Sequence, residues 1–172
     1  MLWVCPAWSE GLNPKAQRRI DNCMVLAAKW AANPIVVAAV KAQNAQLPAG
    51  FAEMTQDKWT ALPDAHPFVR AFTTNAAGQF LKKVKTAAIS EAFLSDAAGL
   101  KVAFLAKTTY WCHLGRPKHD LPMQGKTWQG KAELDQSAGQ IEVQIATPVL
   151  DGEKPIGSLV LGISLAFLAD DE

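Results

Sequence analysis

From Asn13 onward apolar residues recur at three- and four-residue spacing, at Ile20, Cys23, Met24, Ala27 and Trp30 or Ala31. The spacing predicts one long amphipathic helix, with Asn13 as its N-cap and Pro14 in its first turn. Asn33-Pro34 ends or kinks it, and Ile35 to Asn44 resumes a helical run before Pro48-Ala49-Gly50 breaks the chain. Thr55 caps a short helix through Trp59, closed by Pro63. A further helix is predicted from Pro67 to Lys85, showing Phe68, Phe72, Leu81 and Val84. Its basic end, Lys82, Lys83 and Lys85, suits the negative pole of a helix dipole.

After Thr86 the hydrophobic period falls from 3.6 to two. Ile89 to Ser95 and Leu100 to Lys107 read as strands joined by a turn, Asp96 to Gly99, whose glycine supplies positive φ. Thr127 to Asp135, Gln140 to Leu150 and Lys154 to Leu165 follow, with reversals at Asp135 to Gly139 and at Asp151-Gly152. Ile141, Val143 and Ile145 alternate with Glu142, Gln144 and Ala146, so one face of this sheet is buried and the other partly polar. The last two strands carry the longest apolar runs and are expected to be neighbours in the centre of one five-stranded antiparallel sheet. Within them, Gly157 and Gly162 are expected to mark bulges or close approach of another element.

Helices that precede strands instead of alternating with them predict an α+β fold. No repeat or linker divides the chain, so one domain is expected over 13–168, with 1–12 a leader remnant or disordered start and 169–172 a tail. The Ile20/Met24/Ala27 face is expected to pack on the domain or, in the alternative, on a second copy as a homodimer stripe.

Hydrophobic residues make up 49% of the 172 and charged residues 19%, the balance of a folded protein. A net charge of +1 gives no global field to recruit nucleic acid or an anionic membrane. No apolar run approaches the roughly 18 residues of a transmembrane helix. Met1 to Trp8 is apolar but too short, and too poor in basic residues, for a complete secretory signal. Cys5, Cys23 and Cys112 lack metal-site or redox spacing. They are read as reduced and buried, with a Cys5–Cys23 or Cys23–Cys112 disulfide as the alternatives in an oxidising compartment.

The connection Thr108 to Lys126 is long for a compact domain, and such loops are usually functional. Lys107, Arg116, Lys118, Lys126 and Lys131 face only Asp120 between Lys107 and Lys131, a local net of +4. Arg116 offers a planar fork matched to a carboxylate, Lys118 a point charge, and His113 and His119 donors that titrate near neutrality. Tyr110, Trp111 and Trp128 are placed to wall a pocket while their polar tips orient a ligand. The set suits a small anion. A metal site of Cys112, His113 and His119 fails because chain neighbours rarely converge on one ion and no fourth ligand is evident. Trp111-Cys112-His113 lacks the first cysteine of a haem-attachment motif. Cys112 and His113 are adjacent and diverge in extended chain, and no nucleophile elbow, P-loop or dinucleotide fingerprint is present. The reading is a non-catalytic binding protein without cofactor.

Phe93-Leu-Ser-Asp96-Ala-Ala-Gly99, Lys107-Thr-Thr-Tyr110-Trp111, Trp128, Leu134-Asp135-Gln-Ser137 and Pro148-Val-Leu-Asp151 through Ile156-Gly157 to Gly162 follow one another in order. This succession resembles a single Cache domain of the PDC type, over roughly Ile89 to Leu165. The resemblance implies a PAS-like antiparallel sheet behind a long helix, and small-metabolite sensing outside the cytoplasm, most plainly in the periplasm. Many relatives are acidic just after the Tyr-Trp pair. Here Cys112 to His119 is basic, which favours a small carboxylate-bearing ligand held by Tyr110, Trp111, His113, Arg116, Lys118, His119 and Trp128. With no signalling domain read after Leu165, a free-standing sensor or one reporting through a membrane signalling protein is expected. The alternative is a protein-interaction module in which the pocket is collapsed and the loop docks a partner.

Overall fold

The computed structural model describes residues 12–135 and 140–169. Residues 1–11 of the leader reading, Cys5 among them, residues 136–139 of the Asp135 to Gly139 reversal and the tail beyond 169 lie outside the described residues. Helix α1 runs Pro14–Ala31, and Asn13 Oδ1 accepts from the Ala16 N–H at 2.8 Å to cap it. Helix α2, Pro34–Ala45, restarts on Asn33, whose side chain accepts from Ile35 N–H. Helix α3 is Gln56–Ala61 on its Thr55 cap. The helix predicted over Pro67 to Lys85 is two, α4 (Pro67–Thr74) and α5 (Ala76–Val84). Asn75 divides them: its backbone turns extended, its Oδ1 caps Gly78 N–H, and its Nδ2 donates to the Val102 carbonyl. A short polar side chain has here outcompeted helix continuation, a contest that periodicity does not register.

Five strands follow: β1 Ile89–Asp96, β2 Lys101–Phe104, β3 Trp128–Asp135, β4 Gln140–Asp151 and β5 Lys154–Ser164. They form one antiparallel sheet in the order β2-β1-β5-β4-β3, so β4 and β5 pair beside each other with β5 central, as their apolar runs predict. β2 is shorter than the expected Leu100 to Lys107, because the chain leaves the sheet after Phe104 to pass under α3, where Trp59 Nε1–H donates to the Thr108 carbonyl. Between β2 and β3 lies the long connection, with a four-residue helix α6 (Pro117–Asp120) and a 3-10 turn at Pro122–Gln124. A short helix α7, Leu165–Ala169, closes the described chain.

The two faces of the sheet differ. On one, α1, α2 and α5 cover an aliphatic core in which Ile20, Ala27, Val36, Val40, Leu94, Ile145, Leu161 and Ile163 are fully buried. The stripe of α1 is thus spent on the sheet. On the other face an aromatic cluster, Phe51, Trp59, Phe72, Phe104 and Trp111, fills one end and leaves the other open. Among the described residues no single helix is long and apolar enough to cross a membrane. Cys23 and Cys112 are free thiols, so the Cys23–Cys112 pairing does not hold.

Candidate ligand-binding cavity

The tight turn after β1 places the loop. Asp96 Oδ1 accepts from the Ala98 and Leu100 N–H groups, and Gly99 takes φ of 80°. Gly99 O then accepts from His113 N–H, and Leu100 bridges to Cys112. A Cβ on Gly99 would fall 2.5 Å from Leu114 N, so a side chain there would push the loop off the sheet. Pinned in this way, the loop closes a cavity of about 410 Å³ against the open end of the second sheet face, a volume typical of small-molecule sites.

Tyr110, His113, Arg116, Lys118 and Trp128 line this cavity together. Trp111 and His119, expected beside them, do not. Trp111 is buried behind the loop, 4.9 Å from the Phe51 ring and 5.2 Å from Trp59, with its backbone N–H donated to Gln56. An indole next to so much aromatic surface gains more from packing than from a cavity wall. His119 points from α6 into the sheet, where its Nδ1 meets Ser158 Oγ at 2.8 Å. Burial holds its pKa below the ordinary imidazole value, partly opposed by a backbone contact from Ala97. Both residues support the wall from behind.

At the mouth the Arg116 guanidinium carbon sits 3.6 Å from the centre of the Tyr110 ring, a cation–π stack that holds the fork flat. Deeper in, Lys118 Nζ donates to Gln144 Oε1 at 2.6 Å. The Gln144 amide donates in turn to Glu91 Oε2 at 2.8 Å and to Glu142 Oε1 at 3.0 Å. Ser90 O–H donates to the other Glu142 oxygen. One amide therefore divides the floor, with its oxygen toward the lysine and its N–H groups toward two carboxyl groups. His113 stacks on Phe93 with ring centres 4.6 Å apart, and its Nδ1 meets the amine of Lys101, which is wholly buried. Burial first, and then the charges of Lys101, Lys118 and Arg116, keep His113 neutral far below the usual imidazole range, so it does not titrate near neutrality as expected.

Sequence reasoning passed over Glu91, Phe93, Glu142 and Gln144 on the floor and Lys101 beneath it. The alternation in β4 had put Glu142 and Gln144 on a polar face, but only the loop folded over that face makes them cavity residues. Glu133 stands at the cavity edge and is exposed. The lining as a whole is mixed, with Arg116, Lys118 and Lys131 against Glu91, Glu133 and Glu142, where the loop alone predicted a basic site.

No family model matches the chain, and no curated protein does. Solved structures do. The E. coli DcuS sensor domain aligns over 91% of this chain and 96% of that one, with 10% identity and a TM-score of 0.51. The V. cholerae histidine kinase DctB sensor domain aligns over 90% of this chain and 59% of its own, with 17% identity and a TM-score of 0.42. The ligand-binding domain of the Pseudomonas fluorescens chemoreceptor CtaA, in complex with L-leucine, aligns over 90% of this chain, with 15% identity and a TM-score of 0.48. This chain spans 53% of that receptor domain. The DcuS likeness shows that the chain, a five-stranded antiparallel sheet backed by helices, has the fold of that sensor domain.

Proposed function

We propose that the chain is an extracytoplasmic sensing domain that binds a small carboxylate-bearing metabolite without catalysis and reports through a membrane signalling protein. One observation carries this reading: a cavity of about 410 Å³ with the Arg116 fork held flat at its mouth and a divided, hydrogen-bonded floor. The fork pairs bidentately with a carboxylate. The Glu91 and Glu142 carboxyl groups lie beyond Gln144, where an ammonium finds acceptors and a second carboxylate meets repulsion. The ligand class that uses both ends is a small amino-carboxylate. The Cache-type fold supports a sensing role by analogy of architecture.

The test is a thermal-shift and calorimetry panel of acetate, succinate, putrescine and L-alanine. L-alanine is expected to stabilise the protein most. Arg116→Ala is expected to weaken its binding by roughly ten- to a hundredfold while the fold stays intact, since a buried hydrogen bond to a charged group is worth about 1.5–3 kcal/mol. Arg116→Lys recovers part of the loss, because a point charge cannot reproduce the fork. If no carboxylate shifts the melting temperature, the ligand reading falls and the loop is a docking surface.

A further inference from the structure

We propose that Lys101 is a positioning residue for the cavity: it locks His113 in the tautomer whose Nε2–H is offered to the ligand carboxylate. The ligand clause rests on the function proposed above, whereas the tautomer clause stands on geometry alone.

Lys101 is wholly buried on the short edge strand β2 and held at both ends. Its carbonyl accepts from Gln43 Nε2 of α2 at 3.0 Å, and the same amide donates to Asp96 at 2.8 Å. Its amine lies 4.5 Å from the centre of the Phe93 ring, 3.4 Å from Ser95 Oγ and against His113 Nδ1. The Phe93 π face and Ser95 Oγ each draw an N–H of this amine, and as an ammonium it has a third to give to His113 Nδ1. His113 stacks on the same Phe93 ring, so its nitrogens have little rotational freedom. A lysine amine donating to Nδ1 makes Nδ1 an acceptor and leaves the ring proton on Nε2. The ring lines the cavity with Nδ1 already engaged, so Nε2 is the atom left for a ligand.

The charged groups around the pair act in the same sense. Lys101, Lys118, Arg116 and His119 all disfavour a charge on His113, whose ring Tyr110 also meets edge-on. Lys101 itself faces Glu91 and Asp96 of β1, Cys112 of the loop, and Lys118. The consequence is a carboxylate donor that holds its form across neutral pH. Free histidine would change charge there.

Histidine ¹⁵N spectra of the ligand-free protein decide the matter. The expected result is a His113 Nδ1 signal of the unprotonated, accepting kind and an Nε2–H signal, both unchanged between pH 8 and pH 5.5. In Lys101→Met the tautomer lock is lost and an Nδ1–H signal appears, while Lys101→Gln, which keeps a donor, restores the Nε2–H form. L-alanine affinity should vary less than about twofold over this range in the native protein and be roughly threefold or more weaker throughout it in Lys101→Met. An Nδ1–H signal in the native protein, or a His113 that titrates there, overturns the inference even if neither variant folds. A correct tautomer without binding of L-alanine, acetate or succinate leaves Lys101 in its role and removes the ligand reading instead.

Discussion

Along β4 successive residues belong to different kinds of protein. Val143, Ile145 and Val149 are fully buried against α1, α2 and their neighbours. Glu142 and Gln144, between them, hold a hydrogen-bonded floor under a cavity. β1 repeats the division with Ala92 and Leu94 on one side and Glu91, Phe93 and Ser95 on the other. One face is aliphatic and packed by helices. The other is aromatic at one end and ionisable at the other, covered by a loop held through a turn, a bridge and a few hydrogen bonds. A pleated strand makes such a division inexpensive, because its side-chain period of two keeps the sets apart without any change of backbone. The lesson is that the packed face and the cavity face are separable by residue parity.

The largest effect should come from the helix face. Leu161 lies at the centre of β5, fully buried, paired with Ala92 on one side and Ile145 on the other. Leu161→Ala removes buried methyl groups and leaves a void, with an expected loss of about 2–5 kcal/mol. Urea denaturation reads this directly, and L-alanine affinity of the folded fraction should hardly change. A variant that keeps its stability but loses binding would show that the two faces are coupled.

This division explains what was legible in the chain. The helix face is a local pattern: Ile20, Cys23 and Ala27 repeat along α1, and Val143 and Ile145 alternate in β4, so the α+β architecture and the β4–β5 pairing followed from spacing. Caps were legible for the same reason at Asn13 and Thr55. The cavity face was legible only in its loop. Tyr110, His113, Arg116 and Lys118 cluster in sequence, and Trp128 opens β3 close behind them. Glu91 and Lys101 lie on the β1–β2 hairpin and Glu142 much later in the chain, in β4, and only β5, between β1 and β4, and the loop bring them to one site. A lysine next to Val102 in a strand looks like a solvent-facing residue until the loop covers it. Trp111 and His119 failed in the opposite sense, since membership of the loop says nothing about which way a side chain points.

The second effect follows from acid. His113 is buried and held neutral, its folded-state pKa depressed by burial and neighbouring cations. A depressed imidazole pKa means that the unfolded chain takes up a proton the folded one refuses, beginning near pH 6.5. Stability is therefore fully present above that pH and is lost as the pH falls below it, at up to about 1.4 kcal/mol per pH unit for this residue. His119, with its pKa lowered in the same direction, adds to the slope. Urea midpoints between pH 7.5 and pH 5 should fall accordingly, and the fall should be shallower in His113→Gln. Equal slopes in the two proteins would mean that His113 is protonated in the folded state, and the cavity would then carry a further cation.

The smallest and most pointed effect concerns one hydrogen atom. Gly162 lies in β5 across from Gln144 and Glu91, between Leu161 and Ile163 of the helix-side core, so its missing side chain would project on the cavity side. A Cβ built there falls 2.2 Å from one Glu142 carboxylate oxygen and 2.7 Å from the other. The obstacle is the end of a side chain and not backbone, so Gly162→Ala can be accommodated by moving Glu142, at the expense of its bonds from Ser90 and Gln144. The lost glycine entropy of the unfolded chain offsets part of the strain, by about 0.4–1 kcal/mol. The lost bonds outweigh that gain, so stability should fall by about 1–2 kcal/mol. Binding should change unevenly: L-alanine, whose ammonium is assigned to the carboxyl end, should weaken by roughly tenfold, the worth of about one charged hydrogen bond. Acetate, which has only the group assigned to Arg116, should bind as before. If acetate weakens as much as L-alanine, the methyl group disturbs the whole cavity and the floor is not divided in the way Gln144 implies. If L-alanine is unaffected, Glu142 is not part of the ammonium site, and the carboxyl end of the cavity rests on Glu91 alone.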